Sequence, residues 1–215
     1  MIFVYPYRKN DSRELEWSLR SVQSRLDGDC IVIGDTPDFA IGVPIITGYG
    51  SEWRSYSPYH NVIDKILQAC HLYDEFVLMN DDFFVMNWID VTKHYNRGSM
   101  LEHLNQRKYD SYARALKNTR NLLHEKGYPD VDFELHRPML INSKKMLKAI
   151  KEITPQLRSS QTILIRSYYG NRFGLVSEHA SDVKNPDDYK ELDVISTNED
   201  TFKGELGEYI KEMLS

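Results

Sequence analysis

FVLMNDDFFV, residues 76–85, decides how this chain is read. An apolar run ends in Asn80-Asp81-Asp82, and apolar residues then resume. A short continuous apolar run is the mark of a strand buried on both faces. Two ionised carboxylates at its end repel each other, and burying either is costly unless positive charge compensates. A divalent metal is the usual compensation, and Mg²⁺ favours a few carboxylates plus the oxygens of a bound phosphate. Asn-Asp-Asp also suits a plain turn or helix cap. The flanking aromatic and apolar residues make the site half-buried and favour the metal reading.

Upstream, IFVY (2–5) reads as a buried strand. Asp11 or Ser12 can cap a helix whose Leu15, Leu19, Val22 and Leu26 share one face. Asp27-Gly28-Asp29 ends it. CIVIG (30–34) is a second strand, left through the turn Asp35-Thr36-Pro37, and VPII (43–46) is a third. Strand, helix, strand with continuous apolar strands predicts a parallel sheet covered on both faces. GYGSEWRSYSPYH (48–60) is a polar, aromatic loop of the kind found at binding rims, where Trp53, Tyr56 and Tyr59 can stack on a sugar or base. A helix over 58–72 faces inward through Val62, Ile66 and Ala69 or Cys70. EFVLM (75–79) then delivers the acidic pair to the carboxyl end of a fourth strand, where open α/β sheets bind ligands.

The second half is more helical. Residues 92–112 are polar with no clean period, and 112–127 form a helix ended by Gly127. DFELHRPMLIN (132–142) is extended, since Pro138 holds it out of helix. Ser143 caps a helix over 144–152, another spans 159–169 and stops at Gly170, and an amphipathic helix over 204–214 closes the chain. Trp17 reads as core.

The 215 residues fit one domain, with 41% hydrophobic and 27% charged residues, as in an ordinary globular protein. A net charge of −5 gives no global field for nucleic acid or anionic membrane. Cys30 and Cys70 have no metal-type spacing and read as buried free thiols. No apolar run reaches the ~20 residues of a membrane span, and no signal peptide is legible at the N-terminus. The expectation is a cytoplasmic protein, in a bacterium or a phage-infected host. There is no P-loop, no Gly-x-Ser-x-Gly and no Cys-His pair.

The segments DSRELEWSLRSV, IVIGDTP and HNVIDKILQACHLYDEFVLMNDDFF together resemble the core of the Stealth family, and also short phage and bacterial glycosyltransferases. Stealth proteins move sugar 1-phosphates from nucleotide sugars onto glycans. Both groups are similar to GT-A nucleotide-diphospho-sugar transferases. The resemblance covers residues 1–86 and resumes over 133–169. It implies an α/β, GT-A-like (Rossmann-like) fold: a mostly parallel sheet flanked by helices, with a metal-binding Asp motif after a central strand. It places Asp82 at an essential acidic position, Asp64 at a family Glu, His136 at the His of a His-x-Pro motif, and Arg158 at an Arg ahead of a late helix. The family's opening strand, ending Trp-Val-Asp-Gly, is absent; here that strand ends Tyr5-Pro6-Tyr7-Arg8. The resemblance therefore bears on the fold before the sugar-phosphate chemistry.

These readings give a single GT-A-like domain, 1–215, with a nucleotide-sugar half (1–86) and an acceptor half (87–215). Asp81 and Asp82 are the expected ligands of Mg²⁺ or Mn²⁺ against a nucleotide-diphospho-sugar, most simply a UDP-sugar. Tyr7, Arg8, Arg13, Asp35 and Lys65 are the expected donor contacts; the basic ones also suit a solvated turn or an exposed helix face. Asp64 or His136 is the candidate base, since a carboxylate or imidazole can take an acceptor proton. The acceptor could be a glycan, a polymer, or a hydroxymethylated phage DNA base. A non-catalytic binding or scaffold protein that keeps the fold is the other class of reading; a fully hydrogen-bonded acidic pair would favour it.

Overall fold

The structure, a computed structural model, describes residues 1–47 and 57–215. β1 (Ile2–Tyr7), α1 (Glu14–Arg25) and β2 (Asp29–Gly34) make the first β-α-β unit, and β3 (Ile45–Ile46) adds to β2. α2 (Pro58–Leu72) leads into β4 (Glu75–Leu78). Ser57 starts α2 by accepting the His60 N–H at 3.3 Å, and Pro58 follows where a helix lacks use for an N–H. Beyond the Asp pair come β5 (Phe83–Val85), β6 (His94–Asn96), α3 (Met100–Asn105), α4 (Ser111–Glu125) and β7 (Met139–Asn142). α5 (Ser143–Arg158), α6 (Ile165–Arg172), β8 (Ser177–His179), β9 (Val194–Ser196), α7 (Glu199–Lys203) and α8 (Glu205–Leu214) complete the described elements.

The central sheet runs β3-β2-β1-β4-β7. The first four strands are parallel; β7 is antiparallel to β4, with Leu78 opposite Met139. Alternation along the strands divides the core. Val4, Phe76 and Leu78 face α2, α5 and α6, whereas Tyr5, Tyr7 and Val77 face α1 through Leu15, Leu19 and Val22. A third cluster joins β5 and β9, an antiparallel ribbon, to α7 and α8; Phe84 stacks on Phe202 at 5.5 Å. Cys30 and Cys70 are buried and free, and burial pushes both thiols up to about 12. No helix among the described residues is long and apolar enough to cross a membrane.

Several helices differ from the sequence expectation. The hydroxyl of Ser12 accepts the Glu14 N–H at 3.1 Å, but the N-cap of α1 is Arg13, whose side chain makes no capping bond, in place of the expected Asp11 or Ser12. α5, however, starts under an Asn142 cap and runs to Arg158, with an exposed Pro155 in its last turn. α6 starts later than expected and passes through Gly170. That glycine is a packing residue: a β-carbon on it would lie 2.6 Å from the Phe133 ring. The stretch 92–112 holds a short strand and a helix. Its polar sequence hid them because β6 pairs only with distant β8.

Gly34 ends β2 at φ +138°, and a β-carbon there would lie 2.0 Å from the Tyr7 carbonyl oxygen and 2.8 Å from Lys65 Cε. Gly34→Ala is expected to lose about 1–3 kcal/mol of unfolding free energy. Urea denaturation read by circular dichroism checks this.

Candidate functional site

The carboxyl ends of β1, β2 and β4 meet at one edge of the sheet, and a cavity of about 500 Å³ opens there. Its wall includes Pro6, Arg8, Lys9 and Asn10 after β1, and Asn80 and Asp81 after β4. Asn10 Nδ2 donates to Asp81 Oδ2 at 3.0 Å, so the two strand ends are joined across the cavity wall. Asp35 accepts the Lys9 backbone N–H at 3.0 Å, and Lys9 Nζ pairs with Asp38 at 2.6 Å. Asp35 thus braces the turn that carries the basic residues. Tyr7 departs from its expected role: strand alternation turns its ring into the α1-side core, where it is fully buried. Lys65 is also buried, and its ammonium donates to the Tyr7 carbonyl at 2.6 Å, fixing the strand end.

Asp81, Asp82 and Glu14 form a carboxylate cluster. Asp82 Oδ2 accepts from Lys184 Nζ and, at 3.2 Å, from Ser196 Oγ; its Oδ1 is buried with no hydrogen-bond partner. Glu14 is buried and accepts from Ser12 Oγ at 2.8 Å and from Thr197 Oγ1. Burial, then the charges of Asp82 and Glu14, push the Asp81 carboxyl up to about 7. Among the described residues, Lys184 with Asp82 is the one salt bridge made by this cluster. A divalent ion fits here on two observations: the orphaned Asp82 oxygen and the uncompensated Asp81 beside the cavity. Among the described residues no group of three His, Cys, Asp or Glu could hold a metal unaided. Mg²⁺ sites completed by substrate phosphates and water do not require one.

A second cavity, about 260 Å³, shares Val62 and Asn80 with the first. Tyr59, Tyr112, Glu134 and Arg166 line it. Arg166 sits at the start of α6, buried, and donates to the Arg137 carbonyl at 2.6 Å and to Asn80 Oδ1 at 3.3 Å. Glu134 accepts the Ser167 N–H at 2.9 Å; burial raises its pKa, Arg166 opposes this, and Asp132 adds to the rise. The cavity thus carries a buried cation beside a carboxyl group whose charged form burial disfavours.

His136 packs edge-on against Phe83, with ring centroids 6.1 Å apart. Its Nδ1 lies 2.9 Å from Asp182 Oδ2, and its backbone N–H donates to Asp182 Oδ1 at 3.1 Å. In the neutral ring, a carboxylate at Nδ1 places the proton on that nitrogen and leaves Nε2 unprotonated. Arg97 also donates to Asp182. Burial raises the Asp182 pKa, but the His136 bond and the charges of His136 and Arg97 outweigh it and hold the group well below the usual carboxylate range.

His136 is not among the residues lining these two cavities, and the remaining candidates lie apart from them as well. Asp64 is buried within α2, Arg158 is exposed at the end of α5, and Arg13 pairs with Glu16 at 2.6 Å. Trp53 and Tyr56 lie outside the described residues, while Tyr59 lines the second cavity. Sequence reasoning missed Glu14, Glu134, Arg166, Asp182 and Lys184. Glu134 stands two residues before His136, and a carboxyl group so close to a candidate histidine was the available signal.

No family model and no curated protein matches the chain. Among solved structures it is similar to the galactosyltransferase LgtC in complex with donor and acceptor sugar analogs, at a TM-score of 0.52 and 12% identity. That alignment covers 100% of this chain and 95% of the other. An active-site mutant of LgtC aligns at a TM-score of 0.49 and 13% identity, over 99% of this chain and 95% of the other. The chain has a GT-A glycosyltransferase fold: a mixed α/β molecule with a mostly parallel central sheet and flanking helices.

Because the Asp182 pKa is depressed in the folded state, its interactions stabilise fully above the unfolded value of about 3.9 and fade as pH falls through the folded value. Asp182→Asn is expected to be less stable than wild type near pH 7, with the gap narrowing below about pH 4. Urea melts of both proteins across acid pH measure this.

Proposed function

We propose that the protein is a glycosyltransferase that moves a sugar from a nucleotide-diphospho-sugar to an acceptor hydroxyl. The observation that carries this is the under-compensated acidic cluster opening on a cavity with basic residues at its rim. The GT-A fold supports it, as does the similarity to a galactosyltransferase solved with donor and acceptor sugar analogs. The orphaned oxygen of Asp82 speaks against the scaffold reading, which would leave the acidic pair fully hydrogen-bonded.

In this reading the 500 Å³ cavity takes the nucleoside diphosphate and the 260 Å³ cavity takes the sugar. Asp81 and Asp82 would hold Mg²⁺ or Mn²⁺, and a bound divalent ion neutralises charge on the leaving diphosphate. Arg8 and Lys9 add positive charge on the diphosphate side. Glu134 and Arg166 hydrogen-bond sugar hydroxyls, and Tyr59 and Tyr112 wall the ring. His136, oriented by Asp182, accepts the acceptor proton at Nε2. Residues 1–86 then supply the diphosphate side and 87–215 most of the sugar and acceptor side, within one domain.

Sugar-1-phosphate transfer would use the same groups on phosphorus, releasing a nucleoside monophosphate in place of a diphosphate. Calorimetric titration with UDP, GDP and their common sugars, with and without Mn²⁺, tests the donor site. Metal-dependent binding is expected, weakened roughly tenfold or more by Asp81→Asn and by Asp82→Ala. Assay of the released nucleotide separates the two chemistries. Absence of nucleotide binding under both conditions overturns the proposal.

A further inference from the structure

Beyond these two cavities lies a third, about 310 Å³, that the reaction scheme leaves unused. Its walls include Trp88, Tyr95, Arg137, Pro138 and Asp193. Trp88 is 72% exposed, yet its loop is fixed. The adjoining Ile89 and Val91 pack into the α1-side core. Asp90 accepts both the N–H and the hydroxyl of Thr92, at 3.0 and 2.6 Å, and the Asp193 carbonyl accepts the Met86 N–H at 2.8 Å. The loop that carries the exposed indole is therefore braced on both sides of Trp88, and its backbone has little conformational freedom to lose on binding.

Arg137 supplies the polar edge. Its guanidinium lies over the Tyr95 ring at 5.0 Å, and its Nε is buried without a hydrogen-bond partner. The charge around the cavity is balanced, Lys93 and Arg137 against Asp90 and Asp193. Lys93 pairs with Glu178 at 3.4 Å, and Asp90 is spent on Thr92. Arg137 and Asp193 make no salt bridge among the described residues. One donor group and one acceptor group beside an exposed aromatic face suit a ring that has apolar C–H faces and hydroxyls able to donate and accept. They do not suit a polyanion, whose binding rests on net positive charge.

We propose that this cavity is a subsite for a neutral saccharide. Residues 134–138 run from the reaction site to this cavity: Glu134 lines the 260 Å³ cavity, Arg137 and Pro138 line this one, and His136 comes between them in sequence. Resting on the transferase reading, the subsite anchors an acceptor glycan by a ring other than the one that reacts. It selects a glycan from among the possible acceptors.

The test is saturation-transfer NMR and calorimetry with lactose, maltotriose and chitotriose, beside a hydroxymethylcytosine-containing DNA oligonucleotide. Wild type, Trp88→Ala and Trp88→Phe are compared; the exposed position leaves folding intact. Binding of a neutral oligosaccharide is expected, weakened roughly tenfold in Trp88→Ala and largely kept in Trp88→Phe, with the UDP–Mn²⁺ titration of Trp88→Ala unchanged. Failure of every neutral oligosaccharide to bind at millimolar concentration, equal binding by Trp88→Ala, or Trp88-dependent binding of the DNA alone overturns it. Trp88-dependent saccharide binding without any nucleotide binding upholds the subsite and overturns the donor site instead.

Discussion

Negative charge at the carboxyl end of β4 is the constraint around which this molecule is arranged. Asp81 and Asp82 are placed there by the strand, and Glu14 comes up behind them at the first turn of α1. In a half-buried setting their repulsion is poorly screened. Lys184, Ser196 and Thr197 answer it from the far end of the sequence. The β5–β9 ribbon does more than bury Phe84 and Ile195: β9 carries Ser196, Thr197 follows it directly, and Lys184 is bridged to it. The C-terminal helices are fastened to the N-terminal β-α-β unit through this cluster and the apolar seam beneath it. The compensation is incomplete, and the residual charge lies beside the cavity wall.

Arg166 plays the corresponding part on the opposite side of Asn80. A buried guanidinium needs acceptors, and this one takes the carbonyls of Leu135 and Arg137 and the Asn80 side chain. Those bonds pull the extended segment 134–138 against the end of β4. Residues that would otherwise ride on a loose connection are fixed within reach of the acidic turn. Buried polar groups of this kind give definition more surely than net stability. Here the defined object is a segment with a carboxyl group at one end and Arg137 near the other.

The parallel sheet was legible because continuous apolar runs such as CIVIG and EFVLM have few other stable uses. Asp81 and Asp82 were legible for the same reason: a charged pair stands out against a buried strand. Their partners were not. Lys184 stands 102 residues beyond Asp82, in a polar stretch that looks like any solvated loop. Asp182 and Arg166 are ordinary charged residues until tertiary packing brings them to His136 and Asn80. Tyr7 shows the reverse case. Its position after the first strand pointed to a ligand, but a period of two decides which way a side chain faces. Helix boundaries failed where a local breaker rule met packing, as at Gly170, whose missing side chain admits the Phe133 ring.

Charge distribution links these features. On the proposed function, a chain with a net charge of −5 must gather positive charge locally for a diphosphate while keeping acids beside it for a metal. Along the sheet edge the order is Arg8 and Lys9, then Asp81 and Asp82, then Arg166 and Glu134. Each cation lies next to an acid, so the groove holds charged groups without a strong field of one sign. A donor of fixed shape can satisfy alternating charges at fixed spacing; a uniform polyanion cannot. Beyond the 134–138 segment the balance continues, with Arg137 and Asp193 facing the third cavity at equal and opposite charge.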